Sequence, residues 1–235
     1  MYKVGNLGWM VLVAITLMMT ACAVAPNTAP KAEETAAPQV QPTVEQLPEQ
    51  GQPQQEQGQE QEPVEGQPPT AREAAATVMR AIKNSDMQTV AAWVHAKKGI
   101  RFSPYAYVDV ESDLTFKQDT LNGLMEDSKT YVWGTSAGSG EPIHLTYADY
   151  YKQFVYDADF AKDGTISLNE VQGKSTTTNN LNEVYPKESY DFVEYYIDGI
   201  DPAVEGMDWR SLRLVFEKIG DDRALVGIIH DQWTP

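Results

Sequence analysis

Apolar and polar positions change their spacing several times along this chain, and each change predicts an element. Ala75, Val78, Met79 and Ile82 recur at i, i+3, i+4 and i+7, the stripe of a helix that ends near Lys83. Thr70 and Glu73 precede it at the spacing of a capping box. A second box, Ser85 with Gln88, leads into a helix with Met87, Val90, Ala91 and Val94 inside, and Lys97, Lys98 and Gly99 suit its end. His95 in that last turn reads as a favourable charge at a helix terminus. Ile100–Val108 alternates and predicts a strand, with Pro104 at an edge or bulge. Leu114–Asp127 has room for a short strand and a short helix, and Thr130–Trp133 predicts another strand. Gly134–Gly140 then reads as a turn, since it lacks the Gly-Lys-Ser/Thr of a phosphate-binding loop. The best-defined helix follows, capped by Thr146 and burying Tyr147, Tyr150, Tyr151, Phe154 and Val155.

Past Gly173 the period falls to two. Tyr190–Ile197 predicts a strand, and Trp209–Ile219 with Ala224–Thr234 a hairpin around Gly220-Asp221-Asp222-Arg223. With Ile219 facing Ala224, the register sets Arg213 opposite His230 and Leu212 opposite Asp231. One hairpin face then gathers Leu212, Leu214, Phe216, Leu225, Ile229 and Trp233 for burial against helices, with Asp231 among them. The other carries Trp209, Arg213, Val215, Ile228, His230 and Gln232, a mixture suited to water, a partner or a pocket rim. The expected fold class is α+β: N-terminal helices packed on a curved, mainly antiparallel, cone-like sheet, as one domain over 71–235.

One stretch has metal-like spacing. Asp159, Asp163, Thr165 and Glu170, with Gly164 at the sharp turn, follow the order of a calcium-binding EF-hand loop. Ala161 stands where the third-position ligand belongs, and Gly173 with Thr176–Asn180 interrupts the exit helix. The competing expectation is an acidic turn leading into a short strand over Ile166–Val171, with no cofactor.

The N-terminal segments differ in kind. Lys3 is the only charge before Cys22, and Leu7–Met19 is apolar but short of the ~20 residues of a membrane span. From Val24 to Thr70 there is no aromatic residue, and eight acidic residues face only Lys31. A Gln/Glu/Pro-rich composition of that kind buries too little apolar surface to offset ordering entropy, so 22–70 reads as a disordered tether. As a coil it spans ~40 Å, and in polyproline form ~145 Å. The whole chain has a formal charge of −16, which excludes nucleic acid as a partner and argues against a basic membrane patch. One cysteine leaves no internal disulfide and no multi-cysteine metal site.

Leu17-Met18-Met19-Thr20-Ala21-Cys22 resembles the lipobox of bacterial lipoproteins, with Met19 in place of the usual leucine. The resemblance implies a signal peptide over 1–21, acylation of Cys22 and an extracytoplasmic protein held to a bacterial membrane. Several acyl chains are needed for firm anchoring, because one alone holds marginally. Ala23 follows the cysteine, so the aspartate that retains some lipoproteins in an inner membrane is absent. The element order over 71–235 resembles the nuclear transport factor two-like cone, which implies a sheet wrapped around a pocket. Gly99–Tyr105 and Val226–Trp233 are similar to segments of uncharacterised bacterial lipoproteins, which implies a shared domain and no particular activity.

Two functions follow from the residues. The first is a non-catalytic binding or scaffold domain contacting a protein partner or a second copy through the hairpin face, with Trp209, Arg213, His230 and Gln232 as its binding residues. The second is an enzyme with a cone-end pocket around Asp231, whose carboxyl would rise in pKa if desolvated. A pair with Arg210 is the structural alternative for Asp231, and a surface cross-strand contact the alternative for Arg213 and His230.

Overall fold

A computed structural model describes residues 66–174 and 177–234. Helix α1 (Ala71–Lys83) starts at the expected capping box, in which Glu73 N–H donates to Thr70 Oγ1 at 3.3 Å and Thr70 N–H to Glu73 Oε2 at 2.7 Å. Its stripe of Ala74, Ala75, Val78, Met79 and Ile82 is fully buried. The second cap falls one residue later than expected. Ser85 takes a left-handed φ of +54° as the chain leaves α1, and Asp86 caps α2 (Met87–Trp93) by accepting from Thr89 N–H at 3.0 Å. Helix α2 also ends early, because Val94 is extended and His95 N–H donates to the carbonyl of Leu225. Gly99 turns the chain at φ +79°, where a Cβ would collide with the backbone carbonyl of Phe116.

Strand β1 (Ile100–Ser103) stops at Pro104, shorter than the alternation suggests. It is followed by β2 (Leu114–Phe116), α3 (Gln118–Leu121), β3 (Tyr131–Thr135) and β4 (Pro142–Leu145). The β3–β4 ribbon stands apart from the main sheet, and β4 lies in residues to which the apolar pattern assigns no element. Helix α4 (Tyr147–Phe154) is capped by Thr146 and buries the predicted aromatic face. Then come α5 (Phe160–Asp163), β5 (Thr165–Leu168), α6 (Leu181–Val184), β6 (Tyr190–Ile197), β7 (Arg210–Ile219) and β8 (Asp222–Gln232). The main sheet has the order β2-β1-β8-β7-β6-β5 and is antiparallel except between β1 and β8. The architecture is α+β.

On the helix side of the sheet the interior is filled with rings. Trp133 stacks on Tyr150 at 3.8 Å between centroids, with Phe102 and Tyr147 edge-on to each other beside them. Trp133 Nε1 donates to the Leu145 carbonyl at 3.0 Å, so its one polar atom is satisfied. The far side of the sheet is covered too. Val108, Leu181, Tyr185, Phe192, Val215, Val226 and Ile229 form a second apolar cluster beneath the 104–113 loop and α6. Asn180 joins those two covering segments: its side chain accepts from Val108 N–H at 2.8 Å and donates to the Val108 carbonyl at 3.0 Å.

Candidate functional site

The strongest grouping of charged side chains lies at the end of the β7–β8 hairpin, and it differs from the expected one because of register. Ile219 pairs with Asp222 across a two-residue turn in which Gly220 has φ +60°. A bulge between Val215 and Phe216 of β7 leaves Val226 of β8 without an opposite number. Together these set Ser211 opposite Asp231, Leu212 opposite His230 and Arg213 opposite Ile229. The expected pairing was one residue away, and a one-residue slip moves every side chain of one strand to the other face. The correction carries Asp231 and Ile229 to the side of Arg213, and His230 and Ile228 to the helix side. Arg213 and His230 therefore belong to different clusters.

On the outer face Arg213 is completely buried between two carboxylates. Its Nε donates to Glu194 Oε1 at 2.8 Å and its Nη2 to Asp231 Oδ2 at 2.8 Å. Glu194, on the neighbouring strand β6, also accepts from the Ser211 hydroxyl and from the backbone N–H of Gln172 and Gly173. Gly173 lies directly on the pair: a Cβ there would sit 2.7 Å from Arg213 Nη2 and 3.2 Å from Asp231 Oδ2. Burial raises the pKa of Asp231, and the charge and hydrogen bond of Arg213 pull it back only in part. Arg213 Nη1 makes no hydrogen bond among the described residues. Asp231 thus pairs with Arg213, and Arg210 has a different partner.

That partner is Asp157, on the helix side. Arg210 Nε donates to Asp157 Oδ2 at 2.7 Å, and His230 Nε2 lies 3.2 Å from Asp157 Oδ1. His230 Nδ1 is 3.2 Å from the carbonyl of Pro104, and its ring meets Phe154 edge to face at 5.7 Å. Both partners of the imidazole are hydrogen-bond acceptors. Burial works to raise the pKa of Asp157, but the hydrogen bond and charge of His230 and the charge of Arg210 outweigh it and hold it low.

The remaining expected binding residues are not a rim. Trp209 is buried with its ring 6.0 Å from that of Tyr196, and Gln232 is half-buried opposite Arg210. The hairpin face proposed for a partner is covered by the chain's own segments. Among the described residues, one shallow depression runs along Lys98, Arg101, Tyr185 and Tyr190 and another lies at 198–206, and Asp231 lines neither of these.

The 159–170 stretch is a helical turn followed by a strand and does not take the path of an EF-hand loop. Asp159 precedes α5 and spends its carboxylate on Lys83 Nζ at 2.8 Å and on the Tyr156 hydroxyl. Asp163 ends that helical turn beside Lys162, and Thr165 opens an extended strand paired with β6. Glu170 lies beyond the strand's other end, where its carbonyl accepts from Ser167 Oγ. Among the described residues no three His, Cys, Asp or Glu side chains converge as a metal group. Of the strand expected over Ile166–Val171, Ile166–Leu168 lie in β5, which ends where Asn169 takes a left-handed φ of +56°.

Cys22 and its lipobox lie outside the described residues, as do residues 1–65 of the signal peptide and tether. Among the described residues no helix is long and apolar enough to cross a membrane. Sequence reasoning passed over Glu194, Ser211, Asp157 and Gly173. The available signal was Glu194 itself, the only basic or acidic residue between Phe192 and Ile197, in a strand otherwise apolar and aromatic there. No protein-family model and no curated protein matches the chain. A solved structure, Aln2 from a Streptomyces species, is similar at 10% identity over 71% of this chain and 94% of that one, with a TM-score of 0.30, too low to carry an argument.

Proposed function

We propose that this is an extracytoplasmic lipoprotein, anchored to a bacterial membrane through acylated Cys22, whose 71–235 domain serves as a binding or scaffold module rather than an enzyme. The observation that carries the reading is the position of the sole cysteine. It closes an apolar run behind a single lysine, follows two small residues and precedes a Gln/Glu/Pro-rich segment. The domain begins abruptly at the Thr70 cap, as cargo on a tether would. The charged groups at the hairpin end neutralise one another: Asp231 is held by Arg213 and His230 by Asp157. A carboxylate needed for proton transfer must instead reach a substrate, and Asp231 is 1% exposed beneath Gly173.

The test is fractionation of cells expressing the chain and its Cys22→Ser variant, with a fatty-acid label. The parent should partition with membranes and take up label, while the variant loses the label and either leaves the membrane or accumulates unprocessed. A labelled variant, or an unlabelled parent that stays membrane-bound, would refute the anchor.

A further inference from the structure

We propose that strand β5 is a dimerisation edge, through which a second copy of this chain adds its own β5 antiparallel and continues the sheet. Strand β5 ends the six-stranded order, so one side of its backbone has no neighbouring strand among the described residues. The hydrogen bond from Asn169 N–H to the Phe192 carbonyl sets the phase of the ladder. Alternation then turns Thr165 and Ser167 toward β6 and leaves the N–H and C=O of Ile166 and Leu168 at the open edge. These two residues are 45% and 38% exposed. They pair with Tyr195 and Val193, so their side chains lie on the helix-packed face, at the margin of the domain's main core.

Open edges are ordinarily guarded by a proline, a lysine, an inward charge or brevity. Both edge strands are short, three residues in β2 and four in β5, but β2 is followed directly by Lys117. Within Thr165–Leu168 there is no proline and no charge. Antiparallel pairing about Ser167 sets Ile166 of each copy beside Leu168 of the other, which joins four apolar side chains into one patch. It also suits the flanking charge. In a chain of net −16, residues 162–174 hold two bases, Lys162 and Lys174, and two acids, Asp163 and Glu170. The two-fold arrangement brings the Lys162 end of one copy toward the Glu170 end of the other, so this acidic chain meets itself where it is locally neutral. The inference concerns the domain and is independent of the lipid reading.

Sedimentation velocity of the full chain in mild detergent should show a dimer that dissociates on dilution. Ile166→Lys combined with Leu168→Lys should convert it to monomer without changing its circular dichroism or melting temperature. In the Cys22→Ser background, mixed Ile166→Cys and Leu168→Cys chains should form a disulfide-linked dimer under mild oxidant far more readily than either chain alone. A chain that is monomeric up to its solubility limit, a dimer that survives the double lysine substitution, or cross-linking no greater in the mixture than alone would each overturn the proposal.

Discussion

The two faces of the β7–β8 hairpin are buried by different means. The helix-side face is packed with rings and aliphatic side chains, and Asp157 at its margin is met by Arg210 and His230. The outer face is covered by loops and a single turn of helix, and one arginine serves two carboxylates in its middle. The same contrast appears in proton affinity. Asp157 is held low by His230 and Arg210, whereas burial raises Asp231 and lifts Asp113, under the 104–113 loop, to about 6. A face filled with apolar groups is tolerant of pH; a face closed over charges depends on every partner being present.

The sharpest way to break that contrast is to remove the shared partner. Arg213→Met should cost about 3–5 kcal/mol, because it leaves Glu194 and Asp231 buried without a counter-charge. Urea denaturation measures this. Adding Glu194→Gln and Asp231→Asn to Arg213→Met should recover much of the loss, whereas a fully additive triple variant would mean that the charges are independent.

A second experiment reads the pH slopes of the two faces. The unfolded Asp113 carboxyl titrates near 3.8 and the folded one near 6, raised by burial against hydrogen bonds from Ser103 and the Asp109 amide. Between those values the folded state binds more protons, so this group's contribution is fully present below pH 3.8 and is lost as pH rises through about 6. The full span amounts to about 3 kcal/mol. Asp231 has the same sign. Asp157, being lowered, contributes in the opposite sense: its stabilisation is present above its unfolded value and fades as pH falls. Asp113→Asn should therefore flatten the decline in stability between pH 4 and 6, an unchanged profile counting against a buried carboxyl there. The smallest effect tests the cover itself. Gly173→Ala should cost about 1–3 kcal/mol by pushing a methyl against Arg213 and Asp231, and Asp231→Asn should not relieve it. A neutral Gly173→Ala would show that the segment lifts freely from the pair.

What was legible in the chain was local. The Thr70–Glu73 box, the aromatic face of α4 and the strand over Tyr190–Ile197 involve residues a few positions apart, and the structure has each of them, although β6 is buried on both faces instead of alternating. The Ser85 box failed because two capping arrangements overlap by one residue, and Asp86 offers a carboxylate that Thr89 meets with both its amide and its hydroxyl. The hairpin register failed because turn length and bulge act together, and only Gly227 beside the unpaired Val226 marks the place in sequence. Arg213 and His230 looked like solvent-side residues since polar positions in an alternating strand usually are. Their covers come from residues such as Gly173, Pro104 and Asp157, far away along the chain. The EF-hand spacing matched by residue type, but the backbone that should close around a cation is half helix and half strand.

The pairing of β1 with β8 has a consequence for the order in which the molecule is made. Phe102 lies beside Ile228, so the last of the described strands sits inside the sheet, flanked by β1 from early in the domain and by β7. Until β8 is available, β1 and β7 have no common neighbour, and Arg213 has lost one of its two carboxylates. The nascent domain is thus a set of hairpins waiting for a keystone, with the slow, non-local closure expected of such topologies.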